Sequence, residues 1–94
     1  MSNEIGKEFR AAFLEMLELM GTNCDVRGES RRALKQTKMK EGYVVFQFDD
    51  EFALDVGDRI TEHATESHFD VVDMEAVSKA GAFHHFQVTT ERVS

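Results

Sequence analysis

The chain has no proline, no tryptophan and a single cysteine. No apolar run approaches the roughly 20 residues a membrane-spanning helix requires. Without proline, glycine and small polar residues must carry the turn signal. The lone Cys24 excludes an intrachain disulfide, which fits a reducing cytoplasm. The opening Met1-Ser2-Asn3-Glu4 brings neither a basic start nor an apolar stretch, so no secretion signal is expected. Gly6-Lys7 is followed by Glu8 and has no upstream glycine at phosphate-loop spacing, so nucleotide binding is not expected. The 94 residues make one small domain with a limited core, to which assembly with partners would add stability.

What is present is charge, unevenly spread. The net charge is −7, yet residues 27–40 hold six bases and one acid. Residues 1–26 carry five acids and two bases, and residues 41–94 carry twelve acids and three bases. An acidic body argues against general nucleic-acid binding, which depends on Lys and Arg neutralising phosphates. The polarity serves solubility or a complementary interface, positive on one edge and negative on the other. The basic segment, Arg27, Arg31, Arg32, Lys35, Lys38 and Lys40, is the candidate interaction surface. It fits an ordinary solvated strand-and-loop face, or a loop that orders against an acidic partner. As a nucleic-acid patch it is short and surrounded by acid.

Asn3 to Met20 reads as a helix, because Ile5, Phe9, Phe13, Met16, Leu17 and Met20 recur at spacings of three and four. Ala11, Ala12, Leu14 and Leu19 widen the stripe. Such width suits a helix packed on a sheet or partly buried by another subunit. Ser2 or Asn3 can cap its start, and Gly21 stands where a left-handed C-terminal residue is expected. Thr22 to Val26 reads as a short strand and 27–30 as a turn. The stretch 31–38 is rich in helix formers, so propensity favours helix. Yet it is short and flanked by turn signals, and is read as a strand continuing into a mobile loop at Lys38 to Gly42. Tyr43 to Phe48 is β-branched and aromatic and reads as a strand. Phe69 to Val77 and Phe83 to Thr90 read as a hairpin joined by Ser78-Lys79-Ala80-Gly81.

The stretch from Asp50 to His63 decides the fold class. Phe52, Val56 and Ile60 are four apart, which fits a helix, while Gly57 between them argues for a turn followed by a strand. The turn reading predicts an α+β, mostly β protein, with the N-terminal helix packed on a small β-barrel or sandwich. The helix reading gives a ferredoxin-like α/β sandwich instead. The layout is a single domain over 1–94, with the helix in 1–21, a β unit in 22–94 and a basic loop in 27–42.

His63, His68, His84 and His85 raise a metal hypothesis, with His68 able to face His84 or His85 across adjacent strands. Zinc needs three or four converging ligands, and no Cys-x-x-Cys or His-Glu-x-x-His spacing supports one. Neighbours on a strand point to opposite faces, so His84 and His85 are not expected to share a site. Cys24 has no basic neighbour before Arg27 and reads as a buried small residue. The acidic pairs Asp49-Asp50 and Asp70/Asp73 are too ordinary in so acidic a chain to mark general acid–base groups. No catalytic, cofactor or metal residue is assigned.

The order of these features carries a resemblance. A helix ending in Gly21-Thr22 is followed by a short strand, a charged loop and a strand at Tyr43 to Phe48. Then come Leu54-x-x-Gly57-Asp58-x-Ile60, Phe69-x-Val71-x-Asp73 and a closing hairpin from Gly81 to Val88. This resembles the head–tail attachment (head–tail joining) proteins of long-tailed phages such as lambda. The resemblance implies a small β-barrel without enzymatic activity or cofactor. Such a protein forms a homo-oligomeric ring at the virion neck, between the portal side of the head and the tail, after assembly in the bacterial host cytoplasm. By the same likeness, 27–42 is the loop that orders in the ring and meets acidic neighbours. The helix face of Ile5, Phe9, Phe13 and Leu17 would hold the barrel. The alternative is a small protein- or RNA-binding regulatory module with an α/β fold.

Overall fold

Helix α1 runs Asn3–Met20, as the periodicity predicts. In the computed structural model, which describes residues 3–37 and 42–93, it is followed by six strands: β1 Thr22–Val26, β2 Glu29–Thr37, β3 Tyr43–Phe48, β4 Arg59–Glu62, β5 Ser67–Lys79 and β6 Ala82–Arg92. All neighbours are antiparallel, in the closed order β1-β2-β3-β6-β5-β4, with β4 returning to β1. Closure pairs the strands on both sides within the barrel, while β5 after Val71 and β6 before Phe86 run on as a hairpin that β4 and β3 no longer flank. The expected loop residues Lys38 to Glu41 lie outside the described residues.

Asp50 to His63 adopts the turn-and-strand form, so the ferredoxin-like alternative does not hold. Gly57 has φ 98°, and its N–H donates to the Val71 carbonyl over 2.8 Å. Asp58 Oδ2 accepts from the Asp55 N–H at 2.8 Å and so closes the turn that launches β4. The basic segment is mostly strand: β2 takes up 29–37, leaving only Arg27-Gly28 as the turn. Arg27-Gly28 and Ala80-Gly81 have φ of 52°/81° and 52°/80°. Two consecutive positive φ values are the mark of the two-residue turn whose twist matches a hairpin, and glycine at the second position makes it accessible.

Alternation along the strands fills the barrel. Cys24, Val26, Ala33, Val44, Phe46, Phe48, Ile60, Phe69, Val71, Phe86 and Val88 form one buried cluster, closed from the 50–58 loop by Leu54 and Phe52. Phe46 meets Phe69 edge-on at 5.2 Å, and Phe52 meets both Phe48 and Phe86 edge-on. A six-stranded barrel is narrow enough for its side chains to fill it.

The helix closes a second, smaller core of Phe13, Leu17 and Leu34 on the outside of the barrel. Leu34 points outward on β2, one residue out of phase with the inward Ala33. The N-terminal half of α1 lies on the far end of the β5–β6 hairpin. There a Cβ on Gly6 would sit 2.7 Å from Ala82 Cβ and 3.0 Å from the Lys79 carbonyl, so only glycine fits the approach. At the other end of α1, Gly21 is not left-handed, contrary to expectation; its N–H donates to the Leu17 carbonyl at 2.9 Å. The last turn has no base of its own. Arg32 of β2 supplies one, donating through Nε to the Leu17 carbonyl at 3.0 Å and through Nη2 to the Glu18 carbonyl at 3.1 Å. Arg32 lies so close that a Cβ on Gly21 would meet it at 3.0 Å.

Candidate interaction surface

Four of the six expected basic residues are described, and each is engaged within its own chain. Arg27 faces Asp58 at 3.5 Å and Asp55 at 3.7 Å across the turn. Arg31 pairs with Glu29 at 2.9 Å, and its guanidinium lies 3.8 Å above the Phe52 ring. Arg32 caps α1 and reaches Asn23. Lys35 Nζ lies 2.7 Å from Glu62 Oε1. The structure therefore scatters these four cations into separate local pairs, while Lys38 and Lys40 lie outside the described residues. The charge run in the sequence follows one strand and its turn, whose alternate side chains face different partners.

Near the turn, Val26, Arg27, Glu29, Arg31, Phe52 and Ala53 line an open cleft of about 290 Å³. Arg31 Nε is buried there or beside it with no acceptor among the described residues.

Glu62 sits at one end of the barrel and is almost fully buried. Its Oε1 accepts from Lys35 and, at 2.9 Å, from Thr65 Oγ1; its Oε2 accepts from Thr22 Oγ1 at 2.9 Å. Burial alone would raise its pKa. The hydrogen bonds from Lys35, Thr65 and Thr22 outweigh it and hold the carboxyl below its usual value. All these partners satisfy the carboxylate itself. Cys24, buried in the barrel beside this charge, has its thiol pushed up to about 12, by burial first and by Glu62 second. It is an inert core residue, as the sequence suggests.

The histidines do not converge. His63 Nε2 pairs with Asp25 at 2.8 Å on the surface, and His68 Nδ1 meets Thr61 Oγ1 at 2.9 Å. No group of three or more His, Cys, Asp or Glu with metal-holding geometry occurs among the described residues. His84 and His85 correct the opposite-faces expectation. Val77 pairs with His85 and Ser78 with Phe83, so His84 is the extra residue of a β-bulge. The bulge turns both rings under α1, with their Nδ1 atoms 2.7 Å apart. Phe13 packs on both rings, with centroids at 5.2 and 5.5 Å. His84 Nε2 lies 3.2 Å from the Phe9 carbonyl, and Arg10 Nη1 donates to the His84 carbonyl at 2.9 Å. Burial is the main force pushing both rings below the ordinary imidazole pKa; for His84, the adjacent His85 adds to it.

Among the described residues, the largest group of exposed apolar side chains is on the helix. Phe13 and Leu17 are buried, but Ile5, Phe9, Met16, Leu19 and Met20 are 47 to 76 % exposed. The broad apolar stripe thus divides. One half docks on the barrel, and the other faces out, including Ile5 and Phe9, which the phage resemblance assigns to the barrel. Sequence periodicity sees the total width of a stripe and not the share that the fold covers. Comparison of the chain with protein-family models, with curated proteins and with solved structures found no match.

Proposed function

We propose that this chain is a structural assembly subunit of a phage or prophage, joining head to tail as part of a neck ring. The observation that carries the proposal is the unpartnered apolar side of α1. A 94-residue protein exposes Ile5, Phe9, Met16, Leu19 and Met20 together on one element. Clustered exposed apolar side chains mark contact surfaces more often than idle ones. Within the barrel the strands are paired on both sides, so the contact surfaces there are side-chain faces such as this one. The mostly β architecture with one leading helix agrees with what the head–tail joining resemblance implies. The ionisable groups support the same reading, because Glu62, His84 and His85 are tied into pairs that hold the fold. In a neck ring each subunit would present this face to a neighbouring virion protein.

The test is the sequence of the DNA on either side of the gene. Neighbours encoding portal, capsid and tail-tube proteins are the expected result. Neighbours unrelated to virion assembly would remove the proposal. The four described bases are engaged internally, which disfavours the RNA-binding form of the alternative. The exposed side of α1 would serve a protein-binding module as well as a virion subunit.

A further inference from the structure

The outward residues of α1 have a spacing of their own. Ile5, Phe9, Ala12, Met16 and Leu19 follow one another at steps of four, three, four and three, and all five are exposed. That is the alternation of a helix–helix seam, in which every seventh residue returns to the same contact line. The seam is about 21 Å long at 1.5 Å per residue. Along one side it is bordered by the barrel, where Phe13 and Leu17 dock. Along the other side run Glu8 and Glu15, with Glu4 and Glu18 further round the helix, all exposed and none in a salt bridge among the described residues.

We infer that this face of α1 is the docking site for an amphipathic α-helix of another protein, with apolar residues at seam spacing and Lys or Arg along its flank. The seam spacing selects a helix, and the flanking Glu8 and Glu15 select its charge. An antiparallel second copy of α1 is disfavoured, because it sets Glu8 and Glu15 against the same residues of the other copy and brings both barrels to the same side of the seam. A parallel second copy is the self-association that the sedimentation measurement below tests. The inference rests on reading the chain as an assembly subunit and names the chemistry of one of its partners.

The experiment uses the full chain and two dye-labelled synthetic helices of the length of α1, 18 residues. Both carry Leu at seam positions; one has Lys on its flanks and the other Glu. Fluorescence anisotropy is expected to show the Lys-flanked peptide binding at least about tenfold tighter than the Glu-flanked one. A Phe9→Glu/Met16→Glu variant is expected to lose at least about tenfold of that affinity while keeping its thermal unfolding midpoint, because both side chains are exposed. The variant is more acidic than the parent. If it binds the Lys-flanked peptide as well or better, the attraction is bulk charge and the inference fails. It also fails if neither peptide binds, if both bind alike, or if sedimentation shows the parent associating with itself through a contact that this double substitution abolishes. That last outcome would leave the ring proposal standing, whereas peptide binding by a strictly monomeric chain would support the seam and weaken the ring.

Discussion

Acidification is expected to loosen the helix from the barrel through His84 and His85, and the geometry sets how much. Their facing Nδ1 atoms are 2.7 Å apart, so only one of the two can carry a proton. The Phe9 carbonyl opposite His84 Nε2 only accepts, so the neutral pair has Nε2–H on His84 and Nδ1–H on His85. His85 Nε2 is then an acceptor 3.3 Å from Gln87 Oε1, and turning that amide over supplies the donor. One added proton can be absorbed, with His84 Nδ1–H donating to His85 Nδ1 and His85 Nε2–H to Gln87 Oε1. A second would set two N–H groups head to head. Arg10 of α1 and Lys79 of β5 oppose any added charge, and Glu75 of β5 favours it at His85. Both rings have pKa values below the ordinary 6.5 in the folded chain. The unfolded chain therefore binds more protons below that pH, and stability falls as the pH falls through this window. Each ring that stays neutral when folded contributes about 1.4 kcal/mol of loss between about pH 7.5 and about pH 5.5. For the pair, with at most one proton retained, the expected loss is between about 1.4 and 2.7 kcal/mol. Urea unfolding followed by circular dichroism at the two pH values measures it, with His84→Gln/His85→Gln as the control that removes the titration. Equal losses in parent and control would refute the reasoning.

Other outcomes follow from single contacts. Gly6→Ala adds helix propensity yet places a methyl 2.7 Å from Ala82 Cβ, so it is expected to lower stability by about 1 to 3 kcal/mol, read as a drop in urea midpoint. Lys35→Met leaves the buried Glu62 carboxylate without its cation and is expected to cost about 2 kcal/mol at neutral pH. The folded pKa of Glu62 is depressed, so the stability it contributes is lost as pH falls through that pKa; this variant should shrink the acid-sensitive part. Ala80→Asn, at φ 52° in a two-residue turn, is expected to raise stability by about 0.5 kcal/mol or more in the same titration. Cys24 should react with a thiol reagent only as fast as the protein opens, so its labelling rate should track the unfolding equilibrium across urea.

Strong local patterns carried most of the fold. α1, β1 and β3 fall on the residues their periodicity and β-branched content predict, because burial on one face leaves a mark in the sequence. Gly57 correctly outweighed the four-residue spacing of Phe52, Val56 and Ile60, since a positive φ was required there. Two features were illegible for physical reasons. The β-bulge at His84 inserts one residue in a strand, and nothing local in Phe83-His84-His85-Phe86 announces a break in alternation. The pairing of the basic run was also hidden, because Asp55, Asp58 and Glu62 reach Arg27 and Lys35 only through the closing contact of β1 with β4. The helix stripe was visible, yet its division into a docked half and an exposed half depends on where Leu34 and the hairpin end meet it.

The most direct measurement of the proposed assembly role is immunogold electron microscopy of tailed particles released from the strain that carries the gene, with an antibody raised against this chain. Label confined to the junction between head and tail is the predicted result. Particles labelled elsewhere, or intact tailed particles without label, would contradict it.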